Sequence, residues 1–244
     1  MKLLKLGKVE RLLRSRVESG EKLFLLLSDP EKPISPNTVK LFEENGADVL
    51  LIGGSLNVTP YDIDEYIARL RVEGVKLPIV LFPGGLNNIA KSADAILFMT
   101  LMNSMDPYWI VGAQVAAAPI VYRLGLEAIP SAYIIVGHGG AAGHIGRALP
   151  IPYENGYIAA AYALAAEYLG ARLVYFEAGS GAPKPVPVDA VAAASKVLSQ
   201  ALLVVGGGIR EETLAAERLK AGADGVVIGT LAEKDPEKAL RSSR

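Results

Sequence analysis

Residues 201–230, ALLVVGGGIREETLAAERLKAGADGVVIGT, alternate short apolar runs with glycine turns and one charged, helix-like stretch. The runs Ala201–Val205 and Gly225–Ile228 are rich in Val, Leu and Ile, which predicts two buried strands. Residues 211–221 lie between them and show the apolar spacing of an amphipathic helix. A strand, a turn, a helix and a second strand in this order are typical of a parallel α/β fold.

The same alternation extends over the rest of the chain. Six more apolar runs predict strands at Lys22–Leu27, Val49–Ile52, Pro78–Phe82, Ala95–Met99, Ala132–Val136 and Leu173–Phe176. Further helices are predicted at residues 7–19, 35–45, 60–73, 107–122, 154–169, 187–199 and 235–242. Several strands are almost continuously apolar, as strands covered on both faces are.

Eight strand–helix units in 244 residues predict one (β/α)8 TIM barrel over residues 1–244, preceded by an N-terminal helix. An open, doubly wound sheet is the alternative. The link Gly84–Asp94 is too short and too rich in Gly and Asn for a complete crossover helix. A barrel requires the functional residues to follow the strands, at the carboxyl rim.

Composition excludes several classes of function. The formal net charge is −1, from 25 basic and 26 acidic residues, which argues against a nucleic-acid partner because such binding needs a concentrated basic face. The chain has no cysteine, so a disulfide framework, a cysteine nucleophile and a thiolate metal site are all excluded. The lack of cysteine suits a reducing cytoplasm, where we expect the protein. Pro107–Tyr122, the best candidate for a membrane span, is too short for one.

Glycine turns follow the last three strands. They are Ala178-Gly179-Ser180-Gly181, Gly206-Gly207-Gly208 and Gly229-Thr230. Glycine allows close approach of the backbone to a ligand, and the loops after strands seven and eight are the usual phosphate site of this architecture. The alternative is that each tight turn needs one glycine for its own geometry, but that leaves the concentration on one rim unexplained. No P-loop pattern is present.

Asp29 follows the first strand and Ser55 follows the second. One carboxylate and one hydroxyl, together with phosphate oxygens of a substrate, can hold Mg²⁺. The alternative for Asp29 is a turn residue before Pro30. Zn²⁺ is not expected, because His138 and His144 are the only histidines and lie in a glycine-rich loop, where we expect hydrogen-bonding or lid residues.

Glu177 ends the apolar strand Leu173–Phe176 and precedes a glycine turn. Burial of a carboxylate is costly without a partner or a function, and beside a phosphate ester it can act as general base on a hydroxyl. The alternative is a structural ion pair with a Lys or Arg inside the barrel. We expect the catalytic role.

Taken together, these segments resemble the geranylgeranylglyceryl phosphate synthase family, in its longer archaeal form. The matching segments are Asp29–Lys32, Gly53–Ser55, Tyr175–Gly181 with the following Ala182, Val205–Arg210 and Gly229-Thr230. The resemblance implies an enzyme, a prenyltransferase that joins sn-glycerol 1-phosphate to geranylgeranyl diphosphate in the first committed step of archaeal membrane phospholipid synthesis. It also implies a barrel whose third crossover helix is replaced by irregular chain.

Carried over residue by residue, the resemblance assigns Mg²⁺ to Asp29 and Ser55 and the activation of the glycerol hydroxyl to Glu177. It assigns the glycerol phosphate site to Tyr175, Phe176, Glu177, Ala178, Gly179, Ser180, Gly181, Gly207, Gly208, Gly229 and Thr230. The chain departs from the pattern at Leu27, where some shorter members carry Lys, so that a helping cation has to come from elsewhere, with Lys32 as the candidate. Phe176 stands where Leu is more usual.

A prenyl substrate requires an apolar groove and transient contact with a membrane surface that supplies it. Apolar residues that could line the groove, or fill the barrel core instead, are Leu81, Phe82, Met99, Leu101, Tyr133 and Ile135. A homo-oligomer, a dimer or hexamer, is expected, with Tyr108, Trp109 and the Ala-rich stretch 111–118 as a candidate contact. The alternative for these residues is ordinary packing within the helical ring of the barrel.

Two other functions remain open at this point. One is another phosphate-binding barrel enzyme, an isomerase or a thiamine-phosphate-synthase-like transferase, which would not depend on Mg²⁺ in the same way. An aldolase is disfavoured because none of the predicted strands ends in a Schiff-base lysine. The second is a non-catalytic prenyl-lipid binder, which would need the groove but not Glu177.

Overall fold

Eight parallel strands close into a barrel in chain order in the computed structural model, with β8 paired to β1. The structure describes residues 6–54 and 56–241. The strands are β1 Leu23–Ser28, β2 Val49–Gly53, β3 Ile79–Phe82, β4 Ala95–Leu101, β5 Glu127–Ile135, β6 Leu173–Glu177, β7 Leu202–Gly206 and β8 Gly225–Ile228. The barrel prediction is therefore confirmed, and the open-sheet alternative is wrong.

Helices surround the barrel. They are α1 Lys8–Glu18, α2 Pro36–Glu44, α3 Pro60–Val72, α4 Ala113–Leu124, α5 Gly140–Ile145, α6 Gly156–Tyr168, α7 Val188–Val197, α8 Glu212–Lys220, α9 Thr230–Lys234 and α10 Pro236–Arg241. The link between β3 and β4 contains only the 3-10 turn Leu86–Asn88, so the missing third crossover helix is confirmed. Asn88 is buried and holds this link, since its side chain accepts from Gly84 N and donates to Val58 O.

Strand side chains alternate between two apolar layers. In β1, Leu25 packs inside the barrel, whereas Phe24 and Leu26 pack outward against the helices. The same alternation in β6 sends Tyr175 inward and Phe176 outward. Because both faces are covered, the strands carry the long apolar runs that the sequence shows.

The N-terminal helix closes the bottom of the barrel. Val9 and Leu13 pack into the interior cluster, and Glu127 at the start of β5 accepts hydrogen bonds from the first-turn amides of α1. The buried Glu10 pairs with Arg14 and Arg172. This arrangement covers the amino end of the barrel interior.

The structure adds elements that the periodicity did not predict. β5 begins at Glu127 rather than at Ala132, because Pro130 and the polar residues at its start hide the strand pattern. The predicted helix 107–122 divides into a π-helical turn Tyr108–Gly112 and α4. Short helices α5 and α9 follow glycine turns. Within the described part of the chain, no helix is both long and apolar enough to cross a membrane.

Candidate active site

Glu177 ends strand β6 at the carboxyl rim and is 6% exposed. Its Oε1 accepts a hydrogen bond of 2.5 Å from Gly179 N, and the hydroxyls of Tyr133 and Tyr175 also hydrogen-bond to the carboxylate. The structural alternative, an ion pair with a Lys or Arg, is not found among the described residues. The carboxylate is thus held by neutral donors only.

Burial raises the pKa of Glu177 above its ordinary value, and the hydrogen bonds from Gly179, Tyr175 and Tyr133 oppose that rise. A carboxylate with a raised pKa is a stronger base than an exposed one. Burial, followed by the charge of Glu177, also raises the pKa values of both tyrosines, so their hydroxyls stay protonated and donate. The cluster is therefore suited to accepting one proton at Glu177.

Strand register brings these groups together. Tyr133 lies opposite Tyr175 in the β5–β6 ladder, and Tyr175 and Glu177 share one face of β6 because they are two residues apart. Phe82 completes an aromatic wall, with its ring centroid 5.6 Å from that of Tyr133 and 5.3 Å from that of Tyr175. This wall forms the top of the barrel interior, directly beside the carboxylate.

The glycine turn after β7 lies against Glu177. Gly207 has φ +79°, and a Cβ there would collide with Glu177 Oε1 and lie 2.6 Å from Gly179 N. At Gly206 a Cβ would collide with the Tyr175 hydroxyl. The glycines are therefore required for the close approach of this turn to Tyr175 and Glu177, beyond the needs of the turn itself.

The turns after β6 and β8 meet at the same rim. Ser180 Oγ and Thr230 Oγ1 are 3.4 Å apart, which joins the two turns. Gly208 and Gly181 have φ of +70°, a conformation that side chains rarely adopt. Gly229 lies against Leu27, a partly buried residue near the carboxyl end of β1. The predicted phosphate-binding residues thus follow the adjacent strands β6, β7 and β8.

Two of the predicted substrate residues present no side chain to this rim. Phe176 and Ala178 are fully buried and pack outward, between the sheet and helices α6 and α7. The main chain of Ala178 still contributes, since its amide donates to Gly206 O and its carbonyl accepts from Gly139 N. Their part in the segment is structural, holding the turn that follows.

Asp29 lies half-buried at the end of β1. Its Oδ1 accepts from Glu31 N at 2.9 Å, which forms a local turn, and Oδ2 makes no hydrogen bond among the described residues. Ser55, the second predicted Mg²⁺ ligand, lies outside the described residues. The described part of the chain has no cluster of three or more His, Asp or Glu side chains that could hold a metal. A site with one carboxylate fits Mg²⁺, which usually takes few protein ligands and completes its shell with water and substrate phosphate.

The loop that carries Asp29 is anchored from below by two groups that the sequence did not single out. Tyr66 on α3 hydrogen-bonds to Ser28 Oγ at 2.9 Å and donates to Ile34 O at 2.8 Å. Ser28 Oγ also accepts from Ile34 N. Both ends of the loop are thereby tied to one buried hydroxyl pair, whose long-range contact no local pattern reveals.

The predicted groove residues do not all lie at the top of the barrel interior. Phe82, Met99 and Tyr133 are half-buried and belong to the interior cluster at the top of the barrel. Leu81 instead packs outward between the sheet and the helices. Ile135 is fully buried, and Leu101 is nearly so.

His138 lies in the loop between β5 and α5, whereas His144 lies in the last turn of α5 and not in a loop as expected. His138 Nδ1 accepts from Gly140 N at 3.3 Å, as a loop hydrogen-bonding residue does. The same loop packs on the turn after β6, since a Cβ on Gly140 would lie 3.4 Å from Ser180 N. The predicted hydrogen-bonding role of His138 is therefore observed, and a lid role stays a prediction.

Comparison with known proteins places this geometry in context. Residues 15–243 match the PcrB family. The chain is 48% identical over 239 residues to the geranylgeranylglyceryl phosphate synthase of Aeropyrum pernix, covering 94% of this chain and 92% of the relative. It is 46% identical over 242 residues to the geranylgeranylglyceryl phosphate synthase of Saccharolobus solfataricus, and the match covers 98% of this chain and 94% of that relative.

A solved structure agrees with these relatives. The (S)-3-O-geranylgeranylglyceryl phosphate synthase of Thermoplasma acidophilum, in complex with its substrate sn-glycerol-1-phosphate, superposes with a TM-score of 0.89 at 36% identity. The match covers 98% of this chain and 97% of the other.

Proposed function

The chain belongs to the PcrB family, and from that membership we propose that it is a prenyltransferase that joins geranylgeranyl diphosphate to sn-glycerol 1-phosphate. The product is an ether, and the reaction is the first committed step of archaeal membrane phospholipid synthesis. The observation that carries the proposal is the buried Glu177 carboxylate beside glycine turns that leave room for a phosphate ester.

The proposed reaction forms one bond, breaks one bond and releases one proton. The 3-hydroxyl oxygen of glycerol phosphate forms a bond to C1 of the prenyl chain, the bond from C1 to the diphosphate oxygen breaks, and diphosphate departs with the electron pair. The hydroxyl proton passes to Glu177. Hydrogen bonds from Tyr133, Tyr175 and Gly179 orient the carboxylate for this transfer.

Glycerol phosphate is proposed to bind with its phosphate at the turns after β6, β7 and β8. Main-chain amides of Gly207 and Gly208, with the hydroxyls of Ser180 and Thr230, are the donors that these turns offer. Gly179 and Gly181 let the β6 turn approach the ligand. The glycerol hydroxyls then extend toward Glu177.

Asp29 and Ser55 are proposed to hold Mg²⁺ together with the diphosphate. When bound, the ion neutralises the charge that develops on the departing diphosphate. Tyr66 and Ser28 fix the loop that presents the Asp29 carboxylate. The first part of the prenyl chain is proposed to lie against Phe82, Met99 and Tyr133, where partly exposed apolar side chains adjoin Glu177.

We further propose a cytoplasmic homo-oligomer that contacts a membrane surface transiently to collect its lipid substrate. The face from Tyr108 to Tyr122 supports a contact between copies, because it has no charged residue and exposes Tyr108, Val111, Val115 and Tyr122. Trp109 packs edge-on against Tyr108, with ring centroids 5.0 Å apart. Light scattering of the wild type and of Val115→Glu tests this, with a smaller assembly expected for the variant.

The test of function is incubation of the protein with Mg²⁺, sn-glycerol 1-phosphate and geranyl, farnesyl or geranylgeranyl diphosphate in turn, followed by mass analysis. We expect the ether product and inorganic diphosphate with the geranylgeranyl donor, and no product in excess chelator. Absence of an ether with every donor would overturn the proposal, and turnover that persists in chelator would favour another phosphate-binding barrel enzyme.

A further inference from the structure

A cleft of about 660 Å³ opens between the loop after β1 and the short helix α9 at the carboxyl rim. Its walls are formed by charged and hydroxyl-bearing residues together with a few apolar ones. They include Lys32, Ser35, Thr38, Ser180, Thr230, Glu233 and Lys234. The volume suits a small ligand.

Two lysines on this cleft make no close ion pair among the described residues. Lys32 and Lys234 are exposed, and among the described residues neither ammonium group lies within 4.0 Å of a carboxylate or makes a hydrogen bond. Lys32 is fixed at its main chain, where its amide donates to Asp29 O at 2.9 Å. Lysines on a shared cleft are frequent ligands of phosphate groups.

The far wall of the cleft is shared with the proposed glycerol phosphate site. Ser180 and Thr230, whose hydroxyls are 3.4 Å apart, line both. Asp29 lies close to the near wall, since its charge acts on Glu233, as do those of Lys32 and Lys234. The cleft therefore adjoins both the phosphate turns and the carboxylate proposed to hold Mg²⁺.

We propose that this cleft binds the diphosphate group of the prenyl donor, and the inorganic diphosphate after transfer, with Lys32 and Lys234 as its two cationic ligands. The inference rests on the proposed function. A diphosphate carries more charge than one Mg²⁺ neutralises, and two ammonium groups balance the remainder.

Glu233 adds a negative charge to the cleft, opposite in sign to the two lysines. Its carboxylate lines the same cleft, near both lysines and Asp29. A like charge beside a bound diphosphate weakens its retention, which favours release of the product. Removal of the carboxylate should therefore act in the opposite direction to removal of either lysine.

The experiment measures binding of inorganic diphosphate with Mg²⁺ by calorimetry, in the full-length wild type and in Lys32→Met, Lys234→Met and Glu233→Gln. We expect each lysine variant to raise the dissociation constant about tenfold, because each loses one charge-assisted contact. Glu233→Gln should lower it by about threefold. Lys220→Met, an exposed lysine at the end of α8, is the matched control and should bind as wild type does.

Binding of sn-glycerol 1-phosphate to the same variants separates the two phosphate sites. The proposal expects its dissociation constant to stay within about twofold of wild type. An equal loss of glycerol phosphate and diphosphate affinity would show that the lysines serve the glycerol phosphate, and wild-type diphosphate binding in both lysine variants would also overturn the proposal. Failure of the proposed function is distinguishable, since the wild type would then form no ether at all.

Discussion

Tyr133 and Glu177 project from the neighbouring strands β5 and β6 to the same point on the carboxyl rim, where the tyrosine hydroxyl hydrogen-bonds to the buried carboxylate. The contact depends on the parallel register that places Tyr133 opposite Tyr175, two residues before Glu177. A neutral donor at this position stabilises the charged carboxylate without supplying a counter-charge. Tyr133 is therefore a positioning residue for the proposed base.

Removal of that hydroxyl should change the pH dependence of catalysis. The hydrogen bond from Tyr133 lowers the pKa of Glu177 against the larger rise caused by burial, so Tyr133→Phe should raise this pKa further. A base must be ionised to act, and we therefore expect the acid limb of the kcat profile to move to higher pH. Rate measurements across the acid range check this, and an acid limb at the wild-type position would contradict it.

The substitution Gly207→Ala should lower the catalytic rate without unfolding the barrel. Its Cβ would collide with Glu177 Oε1, so the carboxylate has to move, and we expect kcat to fall by about tenfold or more. Gly20→Ala is the matched control, because Gly20 also has positive φ, +87°, but a Cβ there meets nothing within 4 Å. Gly20→Ala should lose about 1 kcal/mol of stability from its backbone conformation. Gly207→Ala should lose more, because its Cβ would also lie under 3.0 Å from the main-chain nitrogens of Ala178 and Gly179. Equal activity of the two variants would show that the collision is harmless.

Tyr66→Phe should weaken the response to Mg²⁺. The hydroxyl holds the loop of Asp29 through Ser28 and Ile34, and its loss leaves buried polar groups unpaired, at a cost of about 1–3 kcal/mol. We expect a higher Mg²⁺ concentration for half-maximal rate. Tyr61→Phe, on the same helix but 75% exposed, is the control. An unchanged Mg²⁺ response would show that the position of the Asp29 loop does not depend on the Tyr66 hydroxyl.

Glu167 should stabilise the fold in a pH-dependent manner, far from the active site. Partial burial opposes its ionisation, but donors from Ala201, Gln200 and Ser199 outweigh that effect and lower its pKa to about 2 from 4.5. The ionised Glu167 carboxylate therefore stabilises the folded state at pH values above its ordinary pKa, and this stabilisation is lost as the pH falls toward about 2.

Thermal unfolding of Glu167→Gln tests this contribution. At neutral pH we expect a loss of about 1–2 kcal/mol, or a Tm lower by about 2–8 °C for a chain of this size. The difference from wild type should shrink as the pH approaches the folded pKa. A difference that is the same at every pH would exclude the charge as its cause.

The barrel was predictable because each strand carries its own signal. Runs such as Val49–Ile52 are apolar on both faces, and each is followed by residues with helical spacing, so local pattern and global fold agree. The missing third crossover helix was also visible, as the shortness of Gly84–Asp94. The early start of β5 was hidden because Pro130 interrupts the pattern.

The site was predictable only in part. Glu177 stood out as a carboxylate at the end of an apolar strand, but its contact with Tyr133 depends on the register of β5 and β6, which no local pattern encodes. Likewise, the cleft between Lys32 and Lys234 joins residues at opposite ends of the chain, which only barrel closure brings together. The assignments of Asp29 and the glycine turns to ligands stay predictions.

The central claim is that Glu177 accepts the proton of the glycerol hydroxyl. Single-turnover formation of the ether should be compared in wild type and Glu177→Gln, with glycerol phosphate binding measured in both. We predict a rate lower by about 100-fold or more in the variant, with glycerol phosphate still bound. Ether formation by Glu177→Gln at close to the wild-type rate would contradict the account.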